Sequence, residues 1–420
     1  MKNMNVLIIT ASFPYPLNSG GNQAQFNLID QLRNQVNFSL LYFRNPSIFE
    51  SENTLRQLWP EVKFYPIDIP KKKPKNNLQK VINKLWKWIY KPEKTILNFE
   101  YEYSALRDRS AEFVDSNFIE KLNRILLNDK IDIVQTEFYN MQDLVYCLPK
   151  SVKKLYIQHE IRFVRNQLER QVLSKENVYL DYVCDKLKSE EIAAINHYDG
   201  VVALTDIDKN KMLEAGVSIP IYTSPAAVHP LYRLSDERYI FDGTITFVGS
   251  GGHPPNRDGL KWFVESMWNK IIQLKPELQL RITGKWDDAF VENITNKHQN
   301  VYFCGYVDNL AASLSNSIMI VPLRIGSGMR MKILDAVNCQ IPFITTSVGV
   351  EGLLFENEKD CLIADTEETF VANLLRLIDD VQLQNDFILH AKMVYDTNYS
   401  VDVLANRRLD VYKQIMNTTK

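Results

Sequence analysis

The chain has 420 residues, of which 45% are apolar and 24% are charged, and its formal net charge is −2 at pH 7. These values are typical of a folded, soluble protein that is long enough for two domains, and they exclude a general electrostatic attraction to nucleic acid, so we expect no nucleic-acid partner. Five dispersed cysteines without a CxxC pair, and no apolar run of roughly 18 residues, exclude a disulfide framework, a zinc site and a membrane span and favour a cytoplasmic protein.

Short apolar runs in the first half of the chain predict buried strands. They do not alternate cleanly with polar residues, as expected when helices cover both faces of a parallel sheet. The runs cover residues 5–10, 36–43, 131–138, 154–160 and 200–205. Helical patterns, such as the one over residues 116–130, lie between these runs. This alternation predicts a doubly wound domain with right-handed crossovers.

A basic and aromatic segment covers residues 71–94 of this first half. Its apolar residues follow helical spacing, and Trp86, Trp88 and Tyr90 cluster near its end. Two interpretations are equally supported. Such a helix can lie on an anionic membrane surface, which would make the protein peripheral to the inner face of the membrane. Alternatively, it covers the sheet of the first domain and leaves its lysines in solvent.

The second half repeats the rhythm and predicts a second parallel sheet. The apolar runs cover residues 244–249, 278–284, 300–307, 317–323, 342–346 and 361–365. A stretch rich in proline and turn residues at 219–243 joins the halves, and the pattern is helical from about Glu367 onward. We therefore predict an α/β protein with two Rossmann-like doubly wound domains that face a cleft. The predicted limits are 1–225, 226–395 and a last helix in 396–420 that packs back on the first domain.

Ligands of doubly wound sheets bind outside the carboxyl ends of the strands, so the loops that follow strands are the candidate site. In the first loop, Gly20 and Gly21 allow close approach of a ligand to the backbone, and a helix predicted to begin near Gln23 points its N-terminal amides toward that point. The loop is not GxGxxG, so a nicotinamide site is not indicated. His159 ends a later strand and could position a hydroxyl or transfer a proton. The alternatives are a plain loop and a structural histidine.

The second half carries two further loops of this kind. Gly249, Ser250 and Asn256 lie in the turn "GSGGHPPN" between a strand and a helix, which is an amide-rich corner. The stretch "LRIGSGMRMKILDAV" contains two cations, Arg330 and Lys332, in the first turn of a helix. The helix dipole disfavours cations there, so the pattern suggests a compensating anion such as a diphosphate. The alternative is a pair of cations exposed to solvent.

The combination of these motifs resembles the GT-B glycosyltransferases, in particular the retaining enzymes of family 4. The similar features are the glycine pair, "FVGS" with "PPNRDGLKWF" (247–263), "ITG" after the next strand, and "PLRIGSGMRMKILDAVNCQIPFITTSVGVEGL" (322–353). They occur in the order of the family over nearly the whole chain. The resemblance is therefore carried by several motifs together, of which the last is the most specific.

The resemblance implies a nucleotide-sugar donor held mostly by the second domain and an acceptor held against the first. His159 falls on the position of the strand-end histidine beside the transferred sugar, and is the implied catalytic residue. Asp335 falls on the second acid of a pair of glutamates separated by seven residues, which holds the donor ribose. The implied donor-binding residues are Gly20, Gly21, Gly249, Ser250, Asn256, Ser327, Gly328, Arg330, Lys332, Asp335, Gly349 and Glu351. No cofactor and no metal are expected.

Two departures from the family pattern stand out. Ser327 occupies the position of the first acid of the pair, and the loop "GSGGHPPN" lacks the Arg and Lys that many members carry. A subgroup of the family shares both changes. Our hypothesis is that Arg330 and Lys332 neutralise the diphosphate in their place.

The sequence thus predicts a metal-independent retaining glycosyltransferase of the hexosyltransferase type. It would move a sugar from a nucleotide sugar to a glycan or lipid-linked acceptor in surface polysaccharide biosynthesis. The absence of a convincing pair of opposed carboxylates favours transfer over hydrolysis. Two alternatives remain, a nucleotide-sugar epimerase of the same fold and a catalytically inactive scaffold.

Overall fold

The computed structural model of the chain describes residues 4–17, 19–69, 104–107, 114–173, 177–226 and 239–418. The basic segment 71–94, for which a membrane-bound helix was one of two predictions, lies outside the described residues. Within the described ranges, no helix combines the length and the apolar character that crossing a membrane requires.

The first sheet has seven parallel strands in the order β3-β2-β1-β4-β5-β6-β7. They are β1 Asn5–Thr10, β2 Asn37–Arg44, β3 Lys63–Asp68, β4 Ile133–Glu137, β5 Lys153–Gln158, β6 Gly200–Ala203 and β7 Ile221–Thr223. Five of these were predicted, and the sequence analysis missed β3 and β7. Both are edge strands; β3 contains Pro66, which a sheet tolerates only at its edge, and β7 is only three residues long.

Helices connect these strands in the described part of the first half. They are α1 Gly20–Leu32, α2 Phe49–Leu58, α3 Ser104–Arg107, α4 Ser116–Asn128, α5 Arg162–Leu173, α6 Val178–Ile195 and α7 Asp206–Glu214, with 3-10 turns at Pro46–Ile48 and Tyr139–Cys147. Helix α4 confirms the helical pattern at 116–130. It begins after Asp115, whose side chain accepts a hydrogen bond from the amide of Asn117, a typical N-cap.

The second sheet has six parallel strands in the order β10-β9-β8-β11-β12-β13. They are β8 Thr244–Val248, β9 Gln279–Thr283, β10 Val301–Gly305, β11 Ile318–Val321, β12 Phe343–Thr345 and β13 Leu362–Ile363. All six predicted runs therefore contain a strand. The helices are α8 Pro254–Phe263, α9 Asn269–Leu274, α10 Asp288–Thr295, α11 Leu310–Leu314, α12 Met331–Asn338, α13 Ser347–Val350, α14 Glu367–Asp379, α15 Val381–Asn398 and α16 Val401–Asn417, and a π-helical turn at Val264–Trp268 joins α8 to α9.

Strand β1 explains why the predicted strands lack polar alternation. Val6 and Ile8 belong to one apolar cluster, Leu7 and Ile9 belong to another, and all four side chains are fully buried. Helices therefore cover both faces of the sheet, as the sequence predicts for parallel strands.

The two strand orders decide where a ligand can bind. In the first sheet the order reverses between β1 and β4, and in the second it reverses between β8 and β11. Ligands of doubly wound sheets bind at the carboxyl ends of the strands at such switch points. The loops that follow β1, β8 and β11 are the ones that the sequence motifs occupy.

The last helix returns to the first sheet. The hydroxyl of Tyr412 donates a hydrogen bond to Gln135 Oε1 of β4 (2.6 Å), and Arg408 Nε donates to Ser224 Oγ (3.1 Å). The predicted return of the C-terminal helix is thus present. The predicted domain limits stay a proposal; the first sheet ends at Thr223 and the second begins at Thr244.

Candidate active site between the two sheets

The loop after β8 is held by a side-chain amide. Asn256, which is buried near the start of α8, donates from Nδ2 to the carbonyl of Ser250 (3.1 Å). The amide of Gly249 donates to the carbonyl of Thr283 at the end of β9 (3.0 Å). The three residues predicted here, Gly249, Ser250 and Asn256, therefore form one ordered turn at the carboxyl edge of the second sheet.

Lys332 joins this turn to helix α12. Its Nζ donates to Asn256 Oδ1 (2.7 Å) and lies 4.6 Å from the centre of the Phe247 ring. Burial lowers the pKa of Lys332 to about 7, and the nearby charge of Arg330 acts in the same direction. The ammonium is therefore easily deprotonated at neutral pH, which is unusual for a lysine.

Asp335 lies one turn further along α12 and is 5% exposed. Burial raises the pKa of its carboxyl to about 7, although the positive charge of Lys332 opposes this. Within the described part of the chain, no side chain or amide donates a hydrogen bond to the carboxylate. Asp335 is thus a buried acceptor that keeps its hydrogen-bonding capacity.

Arg330 is 7% exposed and turns back onto its own loop. Its guanidinium donates to the carbonyl of Gly328 and, at 3.1 Å, to the carbonyl of Val348. Burial lowers the pKa of Arg330 from its ordinary value. Among the described residues, neither Arg330 nor Lys332 forms an ion pair: no carboxylate oxygen lies within 4.0 Å of either cation. Carboxylates act on them only from a greater distance: Asp208, Glu160 and Glu351 raise the pKa of Arg330, and Asp335 raises that of Lys332, but burial outweighs both effects.

Ser327 makes a contact that sequence reasoning did not foresee. Its Oγ accepts a hydrogen bond from the amide of Ile161 (2.7 Å) and donates one to the carbonyl of the same residue (3.1 Å). Ile161 lies in the first half of the chain, immediately before α5. The hydroxyl at the position of the expected acid is therefore used to hold the two halves together, while a donor contact by Ser327 stays a prediction.

Gly328 continues this contact. Its φ is +75°, and a Cβ on this residue would overlap the carbonyl oxygen of His159, so a glycine is required. The Gly328 amide approaches Asp208 Oδ1 (3.4 Å), a buried carboxylate that also accepts from Thr205 Oγ1 (2.7 Å). Burial raises the pKa of Asp208. Sequence analysis missed Asp208 because it does not belong to a recognisable motif.

A second bridge between the halves involves Glu351. Lys211 Nζ of α7 donates to Glu351 Oε1 (2.7 Å). Gly349 lies in the preceding short helix, α13, where its amide donates to Thr346 Oγ1 (2.9 Å). The predicted donor contact of Glu351 stays a prediction, and the structure adds an ion pair to the first domain.

The glycine pair of the first loop lies against both halves. Gly20 begins α1, and a Cβ on it would lie 3.1 Å from Met331 Cγ at the start of α12. A Cβ on Gly21 would lie 2.7 Å from the ring of Phe138, which directly follows β4. The first loop therefore reaches the start of the helix that carries Lys332 and Asp335.

His159 follows β5 and lies beside two residues that sequence reasoning missed. Its Nε2 is hydrogen-bonded to Oε2 of the buried Glu137, and its ring stacks on Phe138 with centroids 4.3 Å apart and an interplanar angle of 19°. Glu137 is the last residue of β4. Its place at the carboxyl end of a predicted parallel strand, where ligands of doubly wound sheets bind, was a signal that could have identified it.

Metal-ligating side chains do not gather in the part of the chain that the structure describes: no three His, Cys, Asp or Glu residues lie close enough to hold an ion. The charged and titratable groups described above include two cations, Arg330 and Lys332, the buried carboxyl of Asp335, and His159 with its partner Glu137. Such a set can bind an anion, orient hydroxyl groups and stabilise charge that develops on a departing oxygen.

Known proteins resemble this chain in sequence. Residues 242–380, which include the second sheet and α12, match the family described as "Glycosyl transferases group 1". A 44.6 kDa protein in the cps region of Klebsiella pneumoniae is 23% identical over 298 residues, which cover 66% of this chain and 74% of that protein.

Solved structures extend the similarity to the whole fold. Sucrose-phosphate synthase from Thermosynechococcus elongatus superposes with a TM-score of 0.70 at 13% identity, covering 99% of this chain and 100% of that chain. HepE of Anabaena, solved with UDP and glucose, superposes with a TM-score of 0.66 at 11% identity, covering 98% of this chain and 100% of that chain. At these identities the likeness shows the fold alone, and that fold is GT-B.

Proposed function

We propose that this chain, whose residues 242–380 match the family described as glycosyl transferases group 1, transfers a hexosyl group from a nucleotide-diphosphate sugar to an acceptor, with retention at the anomeric carbon. One observation carries the proposal. Arg330 and Lys332 are held at the cleft without a carboxylate partner among the described residues, and the pKa of each is lowered by burial.

A buried and a partly buried cation with no carboxylate in direct contact cost free energy to keep charged. The lowered pKa values express this cost, and a dianion placed between them would remove it. A nucleotide diphosphate has the required charge, and the donor-binding loops supply backbone amides beside it. The start of α12 and the glycine pair meet at the same point, so both halves of the chain can contribute.

The proposed mechanism follows from this arrangement. As the bond between sugar and phosphate breaks, negative charge grows on the leaving diphosphate, and Lys332 and Arg330 stabilise it. Asp335 accepts hydrogen bonds from the ribose hydroxyls. His159 contacts the transferred sugar and fixes its orientation. Since cations and amides supply the charge stabilisation, we propose that no metal is required.

The choice of partners is also a proposal. The HepE structure contains UDP, which supports uridine diphosphate sugars as the first donors to test. Similarity to a protein of a cps region supports a glycan or lipid-linked acceptor and a role in surface polysaccharide biosynthesis.

We propose a cytoplasmic location, at the inner face of the membrane if residues 71–94 bind lipid. Flotation with anionic liposomes, before and after Lys-to-Glu changes in that segment, tests this.

The test is a panel of nucleotide sugars incubated with the purified chain, with and without acceptor extracts and with and without EDTA. We expect one donor to bind and to be consumed in the presence of EDTA, and NMR of the product to show the anomeric configuration of the donor. Release of an epimerised sugar would support the epimerase instead. Binding of no donor in calorimetry would contradict the proposal and favour an inactive scaffold.

A further inference from the structure

Four polar side chains form a continuous chain of hydrogen bonds from the last helix to the cleft. Tyr412 donates to Gln135 Oε1 (2.6 Å), Gln135 Nε2 donates to Glu137 Oε1 (2.5 Å), and Glu137 Oε2 is bonded to His159 Nε2. Tyr412, Gln135 and Glu137 are each at most 1% exposed. Buried polar groups in such a chain are satisfied by one another and have no solvent to replace a lost partner.

The chemistry of the four groups allows only one direction for this chain. A carboxylate accepts hydrogen bonds and cannot donate them, so Glu137 must receive N–H groups from both neighbours. The amide of Gln135 is therefore oriented with Nε2 toward Glu137 and with Oε1 toward Tyr412. Burial raises the pKa of Tyr412, so its hydroxyl keeps the proton that it donates.

Phe138 restricts the orientation of the His159 imidazole by stacking against its face. Its ring is nearly parallel to the imidazole, and its backbone has a φ of +66°, a conformation that aromatic residues rarely adopt. Gly21 has no Cβ, which leaves room for the edge of the Phe138 ring. The position and the plane of the imidazole are thus both determined by residues of the first domain.

We propose that Glu137 is a positioning residue: anchored through Gln135 by Tyr412 of the last helix, it holds the proton of His159 on Nε2 and leaves Nδ1 as an acceptor for a substrate hydroxyl. The identity of the substrate rests on the proposed function. Which nitrogen of the His159 imidazole carries the proton does not depend on it. It also assigns a role in the first domain to a helix that follows the second domain in the chain.

The first experiment measures the imidazole directly and needs no activity. Two-bond proton–nitrogen spectra of the chain with ¹⁵N-labelled histidine, at mildly alkaline pH, distinguish the two neutral tautomers, and H159N assigns the signal among the six histidines. We expect a proton on Nε2 in the native chain and a mixture of tautomers in E137Q. A proton on Nδ1 in the native chain, or a tautomer that E137Q leaves unchanged, would overturn the proposal.

The second experiment measures turnover with the donor found in the panel. E137Q should lower kcat about tenfold to a hundredfold with little change in the KM of the donor, because a misplaced group slows the chemical step. Y412F should have a smaller effect in the same direction. E52Q is the matched control, since Glu52 is another buried glutamate of the first domain and is ion-paired with Arg56 (2.7 Å). It should alter thermal stability without altering kcat or the tautomer.

The two experiments fail differently. If no sugar is transferred by any variant, the proposed function is wrong, while the tautomer spectra still decide the role of Glu137. If E137Q does not fold, the native spectrum and Y412F carry the test. Equal losses of kcat in E137Q and E52Q would assign Glu137 to structure alone.

Discussion

Replacement of Lys332 by methionine is the sharpest test of the proposed diphosphate site. The pKa of Lys332 falls from its ordinary 10.5 to about 7 through burial and, to a smaller extent, the charge of Arg330; together these disfavour the charged form by about 5 kcal/mol. A bound dianion offsets this cost. Loss of one partner from a buried charge pair typically costs 2–5 kcal/mol. We therefore expect K332M to weaken donor binding by about 3 kcal/mol, or roughly 150-fold in Kd.

Isothermal titration of the donor at about pH 6.5, where the native lysine is mostly charged, measures this loss. The matched control is K275M, because Lys275 belongs to the same domain but pairs with Asp379 (2.5 Å) away from the cleft. K275M should leave Kd unchanged. Methionine does not carry a charge that must be buried, so the thermal stability of K332M without donor should equal or exceed that of the native chain. A Kd for K332M within twofold of the native value would refute the assignment.

Three further predictions concern charge and domain contacts. In the native chain, donor affinity should fall up to about tenfold per pH unit above pH 7 as Lys332 loses its proton, whereas K332R should keep its affinity; titrations from about pH 6 to pH 9 compare them. S327A should lose both hydrogen bonds to Ile161, which hold the two halves together. We therefore expect the KM of the donor to rise about tenfold and the radius of gyration in small-angle scattering to increase; unchanged values would contradict a role of Ser327 in holding the halves together. The pKa of Asp335 is raised to about 7 in the folded chain, so between about pH 4 and pH 7 the folded chain holds a proton that the unfolded chain has lost. The free energy of unfolding should therefore fall as the pH rises through this range, and chemical denaturation of D335N should not show this slope.

Most of the elements could be predicted from local patterns. The strand runs and the helix at 116–130 follow from apolar content and periodicity, which depend only on neighbours along the chain. The edge strands β3 and β7 could not be predicted in this way. Their hydrogen bonds to β2 and β6 come from partners elsewhere in the sequence, and neither strand has a distinctive composition.

In the candidate site, too, local motifs could be recognised from the sequence, whereas contacts between distant residues could not. Glycines and a histidine in loops after strands, and two cations at the start of a helix, were visible as motifs, because a ligand at a strand end needs close backbone approach and fixed charge. The sequence thus sufficed for the fold class, while the loops proposed to carry the site stay a prediction. It did not predict that Lys332 would bond to Asn256, 76 residues away, or that Ser327 would bond to Ile161, 166 residues away. Those pairings, and the link from Tyr412 to Glu137, exist because folding brings distant strand ends and the last helix to one place. Each of these hydrogen bonds is strengthened because folding excludes water around partners that are far apart along the chain, and no local pattern contains that information.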